Sequence, residues 1–131
     1  MRSTPKQEIE AVLKLDAQRR FEHFVKRVAD GKEAFALWAG EGWALMGEGA
    51  GVEVFPLWPA AEYVELHRTG EWAGFEARAI PLQSLIEELL PSLESRGMRP
   101  AVFPTPAGLG VTLAPGQLAA ALRDELARWY D

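Results

Sequence analysis

The chain has 131 residues, 48% hydrophobic and 25% charged, with a formal charge of −5, a composition that suits one globular domain able to bury a core without staples. It holds no Cys and two His (His23 and His67), which excludes disulfide scaffolds, thiol nucleophiles and Cys-ligated metals and argues against a His-rich metal centre. Residues 1–32 carry a net +3 and residues 33–77 a net −7, so the acidic middle repels phosphate backbones and argues against nucleic acid as a partner.

Residues 1–15 read as a polar, partly frayed N-terminal arm, with a helical turn begun at Glu8 to Leu15. Residues 16–131 read as a single α+β domain. Asp16 is an N-cap for a helix whose apolar face is Ala17, Phe21, Phe24, Val25 and Val28, with Arg19, His23, Lys26 and Arg27 opposite. Gly31 supplies its left-handed C-cap. Ala34 to Ala39 and Trp43 to Met46 flank Gly40-Glu41-Gly42 as a hairpin, and Trp43 to Met46 is apolar enough to be a central strand covered on both faces. A second turn at residues 47–51 leads into a strand from Val52 to Leu57. Pro59 opens a short helix ending near Gly70, with the stripe Ala60, Tyr63, Val64 and His67.

A strand from Phe75 to Ile80 precedes a helix begun at Pro81, faced by Leu82, Leu85, Ile86, Leu89 and Leu93. Pro91 must kink or split that helix, because it lacks a backbone donor, and Gly97 ends it. Strands at Ala101 to Phe103 and Gly110 to Leu113 enclose a loop at 104–108. Pro115 starts a terminal helix with Leu118, Leu122, Leu126 and Trp129 on one face. The order is α-β-β-β-α-β-α-β-β-α, helices packed on a mostly antiparallel sheet. The chain shows no leader and no apolar run of membrane-spanning length, and a cytoplasmic location is the expectation.

Several segments carry a resemblance. Arg20-Phe21, Ala36-Leu37 and Gly42-Trp43-Ala44-Leu45 resemble the opening of the bacterial domain of unknown function 2750 (DUF2750) family. Pro56-Leu57-Trp58-Pro59, Glu62-Tyr63, Gly70-Glu71-Trp72-Ala73-Gly74, Ile80-Pro81-Leu82 and Phe103-Pro104-Thr105-Pro106 extend the likeness to Asp16–Leu126. The resemblance implies no assigned activity. The run Phe55-Pro56-Leu57-Trp58, a short helix, Ile80-Pro81-Leu82 and Leu113-Ala114-Pro115 is more distantly like the N-terminal domain of the serine-sensitivity (SseB) proteins.

The densest chemistry lies in Trp58, Glu62, Tyr63, Glu65, His67, Glu71 and Trp72. As a surface these residues form an acidic, aromatic-edged groove for a cationic group or a basic protein partner. As structure, Trp58, Tyr63 and Val64 are core and the carboxylates are solvated. Trp58 and Trp72 flank turns, where partial exposure is expected, whereas Trp38, Trp43 and Trp129 suit a core. His67 lacks a nearby Ser or a metal-ligand set, and a backbone hydrogen bond is its simpler role. The glycines at 40–51 precede a strand rather than a helix, so they are hairpin turns and not a phosphate cradle. Pro104, Thr105 and Pro106 preset a rigid loop that either binds something at low entropic cost or stops an edge strand from pairing.

The leading expectation is a non-enzymatic, protein-binding module of regulatory or immunity type, with no cofactor and no metal. The competing expectation is a small-molecule binder or enzyme with a pocket near residues 58–72. A third is nucleic-acid binding by the basic face of the first helix.

Overall fold

The computed structural model describes residues 4–130 apart from 41, 50, 51, 107 and 109, and the expected hairpin-turn residue Glu41 lies outside that set. The N-terminal arm is ordered into a helix, α1 (Lys6–Leu13), which buries Val12. Arg27 docks it: one guanidinium nitrogen donates to Glu8 Oε2 at 3.0 Å and the other to Thr4 Oγ1 at 2.9 Å. The Arg27 side chain is only 9% exposed, so it leaves the solvated basic face on which the sequence puts it. A cation consumed in holding α1 is not available to phosphate, and the nucleic-acid reading of this helix loses its central charge.

Helix α2 (Ala17–Gly31) starts as expected, with Asp16 Oδ1 accepting the Arg19 N–H at 2.8 Å, and it buries Phe24, Val25, Val28 and Ala29. Its end is one residue later than expected. Gly31 stays helical and Lys32 takes the left-handed conformation, at φ 62°, with its N–H bonded to Val28 O.

Two sheets follow, where the sequence suggests one. β1 (Glu33–Ala39) lies between β2 (Gly42–Trp43) and β5 (Glu76–Pro81), both antiparallel to it. The second sheet has the order β3 (Met46–Gly49), β4 (Val52–Leu57), β6 (Arg99–Val102), β7 (Val111–Thr112). Its β4–β6 pair is parallel, Leu57 against Val102, and the other two pairs are antiparallel. The segment expected as one central strand, Trp43 to Met46, instead crosses between the sheets. Trp43 ends β2 on an outer edge, Ala44 is buried, and Met46 begins β3. Much of the expected second turn is strand: Gly47 pairs with Glu53 and Gly49 with Val52 around an irregularity, while Ala50 and Gly51 lie outside the described residues.

The sheets meet where Phe35 and Trp58 exchange two backbone hydrogen bonds of 2.9 Å. Between β4 and its parallel partner β6 run α3 (Ala61–Glu65), a 3-10 turn (Gly70–Trp72), β5 and α4 (residues 82–95). Pro91 does not break α4. The turn ahead of it is wound as a π turn, Leu85–Leu89, with the Leu90 N–H bonded to Leu85 O, and the α-helix resumes over Leu90–Ser95. A wider turn gives the proline ring room against the preceding carbonyls. Gly97 then ends the helix at φ +72°. Helix α5 (Pro115–Tyr130) closes the chain, burying Leu118 and Leu122; the side chain of Trp129 lies outside the described residues. The whole is α+β, with helices packed on the two sheets around a continuous apolar core.

Candidate functional site

Trp58 follows β4, at the point where the chain leaves β6 and bridges to β1. Its backbone is fully used by Phe35 and its side chain is fully buried, so the polar indole N–H must find a partner inside. It donates to the carbonyl of Pro104 at 2.9 Å. The stripe of α3 comes in beside it as the periodicity requires: Ala60, Tyr63, Val64 and His67 are all buried. The His67 ring centroid is 4.9 Å from that of Trp58, and Nε2 lies 3.2 Å from the same Pro104 oxygen. A carbonyl only accepts, so Nε2 carries the proton and Pro104 receives two donors. Burial pushes the His67 pKa below the ordinary histidine value, outweighing the opposing effect of the Pro104 bond.

Phe103 delivers that carbonyl. It sits at the end of β6 with φ 59°, a left-handed conformation rare for an aromatic residue, held by its N–H on Leu57 O at 2.8 Å. Its ring is fully buried, 4.7 Å from Tyr63 edge-to-face and 6.3 Å from His23, with the Arg20 guanidinium 6.0 Å from its centroid. Pro104 is buried behind it. Beyond Pro104 the loop turns back on itself: Thr105 and Gly108 exchange N–H···O bonds of 2.9 and 3.1 Å, and Pro106 is exposed at the tip.

The two regions singled out in the sequence, 58–72 and 104–108, therefore form one unit, with a buried half and a surface half. Trp58, Tyr63 and His67 belong to the buried half. The expectation of Trp58 as a half-exposed contact residue is corrected: its side chain is fully buried in the core, with the indole N–H satisfied inside by the Pro104 carbonyl. The side chains expected to line a pocket near 58–72 are instead packed on one another as core, Trp58 against His67 and Tyr63 against Phe103. Glu62 is half-buried, and its Oε2 accepts the Thr4 N–H at 2.9 Å. Burial pushes the Glu62 carboxyl up, but the Thr4 hydrogen bonds, its own N–H and the Arg27 charge outweigh it and hold the pKa below the ordinary carboxylate value. Tyr63 ends in a buried hydroxyl that has no hydrogen-bond partner among the described residues; burial and the nearby Glu8 and Glu62 charges push it to about 12 against the pull of Arg27. Glu65 is exposed and pairs with Arg68 at 2.7 and 3.0 Å. Glu71 is exposed on the 3-10 turn and Trp72 beside it is half-buried. Sequence reasoning missed Phe103, which reads as an ordinary strand residue, and Gly110, whose need for φ +76° leaves no sign in composition.

A family model described as "Protein of unknown function (DUF2750)" matches residues 21–122. The chain belongs to this family. No curated protein and no solved structure matches it. The DUF2750 region begins inside α2 and ends inside α5. It contains Trp58, His67, Phe103 and Pro104, so the whole anchor of the loop lies within it, whereas α1 and Thr4 lie outside. Among the described residues no group of three or more His, Asp or Glu is placed to hold a metal ion. No helix among them is long and apolar enough to cross a membrane.

The buried His67 makes stability depend on pH with a definite sign. The fold accepts the neutral ring, while the unfolded chain takes up a proton near the ordinary value of 6.5. Its contribution is fully present above that value and is lost as pH falls from there through the folded pKa, by at most about 1.4 kcal/mol per pH unit. In urea unfolding from pH 8 to pH 5, the wild type should lose more stability than His67→Gln, which keeps a donor for Pro104 and cannot titrate. Parallel pH curves for the two proteins would refute the assignment.

Proposed function

We propose that this DUF2750 protein is a non-enzymatic protein-binding module of regulatory or immunity type, which offers the 104–108 turn, together with the exposed Glu71 and the half-buried Trp72, to a basic partner. The observation that carries this reading is the double hydrogen bond to the Pro104 carbonyl. Two buried aromatic donors are spent on holding one loop carbonyl, and the loop's free end is an exposed proline turn. Such a turn loses little conformational freedom on binding, so more of its contact energy is realised as affinity. Glu71 and the half-buried Trp72 supply charge and apolar area that a basic surface needs, and a net −7 over residues 33–77 speeds capture of a cationic protein. The small-molecule reading has less support, since Trp58, Tyr63 and His67, which it needs as lining, are buried in the core.

Affinity capture from a native lysate tests the proposal, with wild type compared against Glu71→Lys plus Trp72→Ala and against Pro106→Asp. A stoichiometric partner with an excess of Lys and Arg, lost in both variants and released by about 0.5 M salt, is the expected result. A partner retained unchanged by both variants would contradict it.

A further inference from the structure

We infer that the outer edge of β5 pairs antiparallel with β5 of a second copy of this chain, joining two three-stranded sheets into one. β5 is the longest of the four edge strands, six residues against four in β3 and two each in β2 and β7. In its ladder with β1, Glu33 stands opposite Pro81 and the Leu82 N–H donates to Lys32 O, so the even-numbered residues of β5 face β1. Ala77 and Ala79 therefore aim their N–H and C=O groups away from the sheet, and neither makes a hydrogen bond there among the described residues. Phe75 O also points outward, where it accepts from Arg68 Nε and keeps a second lone pair. With only methyl side chains at 77 and 79, another backbone can approach this stretch closely.

The charges on β5 select the strand it accepts. Glu76 and Arg78 are both exposed and, two residues apart, lie on one face of the strand. Glu76 makes no ion pair or hydrogen bond among the described residues. Arg78 lies over the Trp38 ring, its guanidinium 4.5 Å from the centroid, a contact that holds the side chain on this face and supplies no carboxylate. Charges on an edge strand ordinarily keep copies apart, and two of one sign would do so here. A Glu and an Arg do the opposite, because antiparallel pairing reverses their order. With Ala77 opposite Ala77 on a two-fold axis, Glu76 of each copy stands directly against Arg78 of the other. The two Ala77 residues then exchange both their hydrogen bonds, and each Ala79 N–H faces Phe75 O of the other copy. A shift that puts Ala77 opposite Ala79 would set Arg78 against Arg78, so charge fixes the register. A foreign strand would need the same Glu-x-Arg order, which a second copy already has.

Sedimentation velocity of the full chain over a range of concentrations tests the pairing, with amide exchange read on the same samples. A dimer with a dissociation constant of about 100 μM is expected, in keeping with a seam much smaller than a standard interface. The Ala77 and Ala79 amides should exchange freely in dilute solution and gain protection as the dimer forms. Glu76→Arg and Arg78→Glu are each expected to weaken the dimer at least about tenfold, and their equimolar mixture to recover a heterodimer at least as tight as the wild type. That recovery needs both variants folded, so it separates repulsion from damage. Ala77→Pro removes the outward N–H and no bond of the β1 ladder, and it should keep the wild-type thermal midpoint while staying monomeric. A wild type still monomeric at about 1 mM would leave the edge to a foreign strand and overturn the assignment. A dimer unmoved by all three substitutions would place the contact elsewhere and overturn it too, as would a mixture of the two charge variants that stays monomeric.

Discussion

Gly110→Ala is expected to cost about 4 kcal/mol of unfolding free energy, the upper end of what a single substitution does. Gly110 sits at φ +76°, where any side chain is strained. A Cβ there would fall 2.2 Å from Val102 O and 2.7 Å from Phe103 O. Both obstacles are backbone, so no rotamer change relieves them, and the strand end carrying Phe103 must move instead. Displacing Phe103 unseats the Pro104 carbonyl from Trp58 and His67. Thermal unfolding should show a midpoint lowered by roughly 15 °C for a domain of this size. Gly74→Ala is the control, because an added Cβ at Gly74 meets nothing within 4 Å. A Gly110→Ala protein with the wild-type midpoint would show that this loop does not close as described.

Trp58→Ala carries the second large effect, about 4 kcal/mol, from the cavity left by a fully buried indole. Trp58→Phe separates packing from hydrogen bonding. It keeps an aromatic ring but removes one of the two donors to Pro104, and the remaining His67 bond keeps that carbonyl from being orphaned. Its expected cost is correspondingly smaller, about 1–2 kcal/mol. The Phe variant should stay folded and still lose order in the 104–108 turn. If it matched Trp58→Ala in chemical denaturation, the hydrogen bond would outweigh packing at this position, contrary to the burial.

Local chemistry is readable in the sequence wherever its partner is close in the chain. Asp16 caps α2, the Ala60–Tyr63–Val64–His67 stripe is buried, and Gly97 ends α4, each a matter of three to seven residues. Longer-range facts are not readable. Trp58-Pro59 looks like the rim of a turn, and the bond that makes Trp58 core reaches an oxygen 46 residues away. His67 reads as satisfied by backbone, yet nothing in its neighbourhood points to Pro104, 37 residues on. The parallel pairing of β4 with β6 is equally silent, since alternation reports a strand's faces and not its neighbour. The N-terminal arm misleads for a different reason. Its polar composition conceals that Arg27, on α2, needs Glu8 and Thr4 as partners.

Buried Trp58 and His67 hold the 104–108 turn in a preformed shape, and everything proposed for its surface half depends on that. Amide hydrogen exchange at Thr105 and Gly108, whose N–H groups close the turn, probes the shape without an intermediary. Both amides should be protected in the wild type and lose that protection in Trp58→Phe, with the amides of β1 and β5 unchanged. Thr105 and Gly108 exchanging at open-chain rates in the wild type would contradict a preformed turn.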